Sequence, residues 1–336
     1  VNKYTFKQFR KAYPNDDACL REILLARYQS TCPDCGSVGV KFYKITNRKA
    51  YVCSACGEHI YPLADTIFHK SSTSIWYWFY AMYIFSVSKN GVAAKELERH
   101  LGVTYKTAWR MANRIRSLMY QDTHMFSGTV EADAAYVGGR RSPKKRYSNK
   151  VMVTGAVERG GAAMVKVMRQ PNRQFITDFF AQRVAVGTDI VTDESNVYSH
   201  LAARFDHKTV RHFPMTYHAG EVHTNTIEGI WSLLKNSMTG TYHTVSQKYL
   251  QHYVDEFVFH YNRNSSVVFQ DLIARACDVA PEGLATLVRG IYLVYRTPDE
   301  EILSYDWPAS LQALLPWLLV REKPRPVTWL DDVLRA

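Results

Sequence analysis

The chain lacks a hydrophobic run long enough to cross a bilayer. Its longest apolar stretch, Ile75 to Phe85, falls short of the roughly 18 residues that suggest a span, so it reads as a buried helix and no membrane partner is expected. The first ten residues hold no apolar signal core and no small-residue cleavage pattern, which gives no case for secretion and an expectation of a cytoplasmic, nucleoid-associated protein. No internal repeat or low-complexity tract is present. Acidic residues are in short supply: 31 Asp and Glu face 42 Lys and Arg, a net charge of +11, which favours a polyanionic partner through counterion release. Cysteine is scarce too, and four of the six fall in two close pairs, a pattern that in a reducing compartment points to metal rather than disulfides. Cys19 and Cys277 remain as free thiols. With 336 residues, 46% hydrophobic and 22% charged, disorder is not expected, and there is room for two or three domains.

The pairs are Cys32-Pro-Asp-Cys35-Gly36 and Cys53-Ser-Ala-Cys56-Gly57, separated by seventeen residues. That spacing suits one four-thiolate zinc site, with each following glycine letting the backbone turn over the ion. Four thiolates fill the coordination shell, so this Zn²⁺ is structural and not catalytic. Phe42-Tyr43 and Tyr51-Val52 suit short strands, which predicts a zinc ribbon over 31–68, preceded by a helical segment over 1–30. The next segment, 72–120, is helical in pattern. Within it, Val92–His100, a turn containing Gly102 and Thr104–Arg116 read as a helix-turn-helix, whose second helix would turn Thr104, Tyr105, Lys106, Thr107 and Arg110 towards base edges and phosphates. An ordinary helical hairpin is the alternative.

From residue 127 the texture changes to short β-branched strands at 129–137, 150–158, 162–168 and 188–193, with another over 207–213. Helical stretches at 172–183, 197–204, Asn225–Met238 and Gln247–Arg263 are interleaved with them or follow. The pattern predicts a mixed α/β sheet flanked by helices over 127–265. Three carboxylates fall at informative places in it. On strand 129–137, alternation gives Glu131, Asp133 and Ala135 one face and Ala132, Ala134 and Tyr136 the other. Asp193 ends a strand, where ligands gather in open α/β sheets. At 100° per residue Glu228 and Lys235 share one helix face, with Ile227, Ile230, Leu233 and Leu234 opposite. Each acid alone is an ordinary solvated residue or cap. Together they can hold two Mg²⁺ or Mn²⁺ ions for an in-line displacement at phosphorus, since hard oxygen donors with open positions suit those ions and not zinc. Lys235 would meet a phosphate. Asn225 would orient DNA or water, or cap the helix, and His223 is a weaker candidate.

Between the first two strands Arg140, Arg141, Lys144, Lys145, Arg146 and Lys150 crowd one loop, placed to grip phosphates or simply to form a solvated basic turn. Past residue 265 the sequence predicts only a helical extension to 336, with apolar patches at 285–295 and 309–320.

Val130-Glu-Ala-Asp133-Ala-Ala-Tyr-Val-Gly-Gly139, Val191-Thr-Asp193-Glu and His223-Thr-Asn-Thr-Ile-Glu228-Gly-Ile-Trp-Ser-Leu-Leu-Lys235 together resemble the DDE-type insertion-sequence transposases with an N-terminal zinc ribbon, related to the Merlin elements. The likeness runs from about residue 15 to about 265, and 34 residues separate Asp193 from Glu228. It implies an RNase H-like core and two divalent metals on Asp133, Asp193 and Glu228, with Lys235 as the accompanying basic residue. It further implies recognition of terminal inverted repeats, 3′-end cleavage by water, joining of the 3′ hydroxyl to target DNA, and an oligomer, at least a dimer, on paired ends. One departure is Ala134, where the family pattern has an acid. Two rivals stay open: a DNA-binding regulator of transposon origin that has lost catalysis, and a structure-selective RNase H-like nuclease. The cysteine spacing predicts one zinc per chain by elemental analysis, retained through purification without chelator and lost in Cys32→Ser.

Overall fold

The computed structural model describes residues 4–121, 125–138, 150–168, 173–195, 197–210, 222–263 and 267–278. The loop cations Arg140, Arg141, Lys144, Lys145 and Arg146, and the expected helical extension beyond 278, lie outside the described residues. Two compact units are present: residues up to Ile23 together with Ser72–Ala276, and a second that contains Leu24–Ser71.

The N-terminal segment forms two helices, α1 (Phe6–Ala12) and α2 (Asp16–Tyr28), rather than one continuous helical stretch. Pro14 explains the break, because it lacks an N–H and pushes Tyr13 out of helical geometry. Thr5 and Gln8 close a capping box on α1, and the Asn15 side chain accepts the Ala18 N–H at 3.0 Å to start α2.

In the second unit β1 (Phe42–Lys44), β2 (Tyr51–Cys53) and β3 (His59–Ile60) form an antiparallel sheet in that order. The first two strands stand where their aromatic and β-branched residues predict them. The third is too short to carry a sequence signal.

Three helices follow in the larger unit: α3 (Ile75–Val87), α4 (Ala94–Leu101) and α5 (Tyr105–Leu118). The apolar run of α3 is a buried helix, with Trp78, Phe79, Met82 and Phe85 in the core. No helix among the described residues is long and apolar enough to cross a membrane. Gly102 ends α4 at φ +64°, a left-handed conformation that glycine adopts without a Cβ penalty, and Thr104 caps α5 by accepting the Thr107 N–H.

The sheet of this unit is built from β4 (Thr129–Val137), β5 (Val151–Glu158), β6 (Ala163–Met168), β7 (Asp189–Asp193) and β8 (Asp206–Val210). Its order is β6-β5-β4-β7-β8, antiparallel from β6 to β4 and parallel from β4 to β8. The mixed sheet expected from the sequence is therefore present, with β4 at its centre. Between β6 and β7 runs α6 (Arg173–Arg183), and between β7 and β8 a 3-10 turn at Ser199–Ala203. After β8 come α7 (Asn225–Ser237), a π-helical turn at Met238–Tyr242, α8 (Leu250–Asn262) and α9 (Val268–Asp278).

Strand alternation sorts the core into two layers. Ala135, Val137, Val153 and Val157 pack with Ile227, Ile230, Trp231 and Leu234 of α7 and Val254 and Val258 of α8. Val130, Ala132, Ala156 and Ile190 pack on the other face with Ile176 and Phe180 of α6. The helices are thus layered on both faces, and each strand of the centre is buried on both sides.

One buried ion pair ties α5 to α8. Arg116 and Glu256 are both about 1% exposed, and Arg116 Nε donates to Glu256 Oε2 at 2.7 Å. Glu256 also accepts the Val92 N–H at 3.1 Å and the Tyr242 hydroxyl at 2.7 Å, while the guanidinium lies 4.2 Å from the Tyr253 ring centroid. Removing one member leaves the other charged, buried and unpaired. Arg116→Met should therefore lower stability by about 3–5 kcal/mol in urea unfolding, and adding Glu256→Leu should recover much of that loss.

Candidate active site

The four cysteines converge in the ribbon unit. Their sulfurs all lie within 4.8 Å of one another, and Cys32 and Cys56 are 3.9 Å apart. A tetrahedron with zinc–sulfur bonds near 2.3 Å has edges of about 3.8 Å, so the site fits zinc in size as well as chemistry. The two knuckles are built alike: Gly36 donates to Cys32 O and Gly57 to Cys53 O, each at 3.0 Å, and both glycines have positive φ. Hydrogen bonding with Ser37 lowers the Cys35 thiol to about 6, whereas Cys56, despite a backbone hydrogen bond at Glu58, is pushed up to about 12 by burial and the neighbouring cysteine thiols.

In the sheet, β4 and β7 run parallel with Glu131 beside Val191 and Ala132 beside Thr192. Continuing that register by one residue sets Asp193 beside Asp133, on neighbouring strands whose axes are about 4.8 Å apart. Asp133 lies on the sheet face that packs against α7, as alternation requires. Burial pushes its carboxyl above the usual range, and the negative charges of Asp193 and Glu228 push it further in the same direction. Asp133 therefore lies within electrostatic reach of both other acids. Their oxygens are more widely spread than the cysteine sulfurs, which form the one such group within 4.8 Å among the described residues.

Two N–H groups orient Asp133, one on each oxygen. The backbone of Ala134 donates to Oδ1 at 2.7 Å, and the indole of Trp231 donates to Oδ2 at 2.9 Å. Asp193 Oδ1 accepts the Ser195 N–H at 3.1 Å, and Glu228 Oε1 accepts the Thr224 hydroxyl at 2.9 Å. A cleft of about 1380 Å³ is lined by Asp133, Glu228, Trp231 and Lys235, and beyond them by Lys150 and His243. Glu228 and Lys235 thus share the exposed face of α7, as their spacing predicts. Asp193 is not among the residues lining the cleft.

Helix α7 is fixed by a residue from β4 rather than by its own sequence. Thr224, its N-cap, makes no capping hydrogen bond to the helix backbone. Instead Glu131, 0% exposed, accepts the Thr226 N–H at 2.7 Å, the Ile227 N–H at 3.1 Å and the Thr226 hydroxyl at 2.9 Å. A carboxylate at the positive end of a helix satisfies two orphan donors and the dipole together. Arg159 Nε donates to Glu131 at 2.7 Å, and its Nη2 donates to His223 O at 2.9 Å. His223 Nδ1 lies 3.2 Å from Glu131, so this histidine belongs to the anchor and not to the cleft.

Asn225 is exposed in the first turn of α7 and is not its cap, which is Thr224. Leu233, expected on the buried stripe, is 55% exposed; Trp231 takes the buried place beside Ile230. By helical phase Trp231 and Leu233 stand 160° apart on opposite edges of the stripe formed by Ile227, Ile230 and Leu234, and the edge with the wider aromatic is the one that reaches the sheet. On α5, Thr104, Tyr105, Lys106 and Arg110 are exposed and Thr107 is half-buried, with its hydroxyl 3.1 Å from that of Thr104. Sequence reasoning missed Trp231, Arg159 and the capping role of Glu131, since none has a spacing signal. Glu131→Ala should cost about 3–5 kcal/mol by stranding Arg159 and uncapping α7. Hydrogen exchange should accelerate at 226–228, and unchanged protection there would refute the anchor.

Residues 125–262 match the ISXO2-like transposase domain, and residues 14–59 match the transposase zinc-ribbon domain. A curated protein of Halobacterium salinarum, described as an uncharacterized protein in transposable element ISH50, is 26% identical, the match covering 61% of this chain and 76% of that protein. Among solved structures, a chain of the simian T-cell lymphotropic virus intasome in complex with PP2A regulatory subunit B56 gamma matches at 13% identity and a TM-score of 0.25. That match spans 47% of this chain and 58% of the other, and at such a score it carries no argument about fold. The chain thus carries, in order, a stretch similar to the transposase zinc-ribbon domain and a stretch similar to the ISXO2-like transposase domain.

Proposed function

We propose that this protein is a DNA transposase that binds the terminal inverted repeats of its element, cleaves the 3′ ends by hydrolysis and joins the freed 3′ hydroxyls to target DNA. The observation that carries this reading is the meeting of β4, β7 and α7. Asp133 and Asp193 each follow directly on the last pair of the β4–β7 ladder, Ala132 with Thr192, and Glu228 opens on the same cleft as Asp133. Strand order β6-β5-β4-β7-β8, antiparallel then parallel, supports an RNase H-like core over 127–265.

Asp133, Asp193 and Glu228 are an all-oxygen donor set whose mutual repulsion a hard cation relieves, which suits Mg²⁺ or Mn²⁺. When bound, two such ions supply activation of the attacking oxygen and stabilisation of the leaving 3′ oxygen. The chain's own residues orient the reactants. Lys235, two turns beyond Glu228 on the cleft wall, meets a phosphate flanking the scissile one, and Lys150 approaches the same strand from the end of the basic loop. Arg140, Arg141, Lys144, Lys145 and Arg146 extend that grip along the backbone, and Asn225 orients DNA at the mouth of α7.

Helices α4 and α5 act as a helix-turn-helix over 72–120. Exposed Tyr105, Lys106 and Arg110, with Thr104 and Thr107 in the first turn, dock in the major groove of the element end. The ribbon over 31–68, with its structural Zn²⁺, completes the DNA-binding part, and the segments 1–30 and 266–336 flank these domains. Working on two ends at once, the protein acts in the nucleoid as an oligomer, at least a dimer.

The test is a nicking and joining assay on duplexes carrying the element ends. Wild type should cut and join with Mg²⁺ or Mn²⁺, while Asp193→Asn and Glu228→Gln should bind the ends with unchanged affinity and fall to the uncatalysed background. Binding by wild type without cutting would make the protein a regulator, and cutting without joining a structure-selective nuclease.

A further inference from the structure

Trp231 is 4% exposed, yet its indole forms part of the cleft wall between Glu228 and Lys235. Buried tryptophans place their one N–H on an acceptor, and here the acceptor is Asp133 Oδ2 at 2.9 Å. The ring reaches that oxygen by lying across β5 at Gly155, the residue directly opposite Asp133 in the antiparallel ladder. A Cβ at Gly155 would stand 2.7 Å from Trp231 Cη2, 3.2 Å from its Cζ2 and 3.1 Å from the carbonyl oxygen of Met164. No side chain other than hydrogen fits there while the indole keeps its position. Gly155 does not have the positive φ that often explains a glycine, so close approach is what the position requires.

With the Ala134 N–H on Oδ1, the indole completes a pair of donors, one per carboxylate oxygen. Each oxygen keeps a lone pair, and the plane of the group is fixed before anything binds. We infer that Trp231 is a positioning residue for cation binding at Asp133, and that Gly155 is the space it needs. This inference rests on the reading of Asp133 as a metal ligand. Partners that orient a ligand side chain typically change metal affinity by 10- to 100-fold when removed.

The experiment uses the full-length, zinc-loaded protein and Mn²⁺ alone, with free Mn²⁺ followed by electron paramagnetic resonance. Trp231→Phe keeps an aromatic ring and removes the donor. Replacing Trp231 with its benzothienyl isostere removes only the N–H and keeps the bulk, so folding is not at issue. Both should weaken Mn²⁺ binding about tenfold with little change in thermal midpoint. Gly155→Ala should weaken it similarly although the indole is intact, and Trp231→Phe should add nothing to Asp133→Asn. An isostere that binds Mn²⁺ as tightly as wild type overturns the inference and leaves Trp231 a packing residue. If Asp133→Asn itself leaves Mn²⁺ affinity unchanged, the metal-ligand reading fails, and this inference with it.

Discussion

A single buried carboxylate joins the two elements on which the cleft depends. Glu131 sits on the central strand two residues before Asp133, and it accepts two loose N–H groups in the first turn of the helix that carries Glu228. Because helix and strand are fastened at one point, the spacing between Asp133 and Glu228 is set by covalent geometry: two residues along β4 on one side, and about one residue past the anchored N–H groups on the other. Arg159 balances the charge and reaches back to the His223 carbonyl, so the chain entering α7 is held as firmly as the helix itself. A neutral cap such as the helix's own Thr224 would satisfy a donor locally without saying where the helix lies on the sheet.

The anchored helix then brings Trp231 across Gly155 and onto Asp133, so that a second bond crosses between the same two elements one turn further on. The contacts made with Glu131 and by Trp231 bracket Glu228 along α7, and the two carboxylates they engage, Glu131 and Asp133, lie on one face of β4. The price of this arrangement is a glycine in the middle of a strand, which weakens the sheet locally. Burial and two neighbouring acids raise Asp133 at the same place, a concentration of unfavourable terms expected of a functional site rather than of a core.

Much of this was legible in the chain. The zinc ribbon follows from two cysteine pairs whose spacing leaves little freedom, and the alternating pattern of 129–137 put Glu131 and Asp133 on one face correctly. Helical phase put Glu228 and Lys235 on one side of α7. What periodicity cannot supply is the partner across an element boundary. It gave no sign that Trp231 rather than Leu233 would turn inward, or that Gly155 was empty because an indole needed the room. Nor did it show that Pro14 would split the N-terminal segment into two helices with separate caps, although proline chemistry accounts for the split once seen. The tying of α5 to α8 through Arg116 and Glu256, 140 residues apart, is likewise a tertiary fact that no local pattern reports.

The proposed chemistry requires Asp133, Asp193 and Glu228 to close on the same cations. The most direct measurement is anomalous scattering at the manganese edge from crystals of the protein with Mn²⁺ and DNA carrying an element end. Density is expected within about 2.0–2.3 Å of carboxylate oxygens from all three residues, against the phosphate to be cut. Density bound by residues elsewhere, or missing any one of the three with DNA in place, would contradict that chemistry.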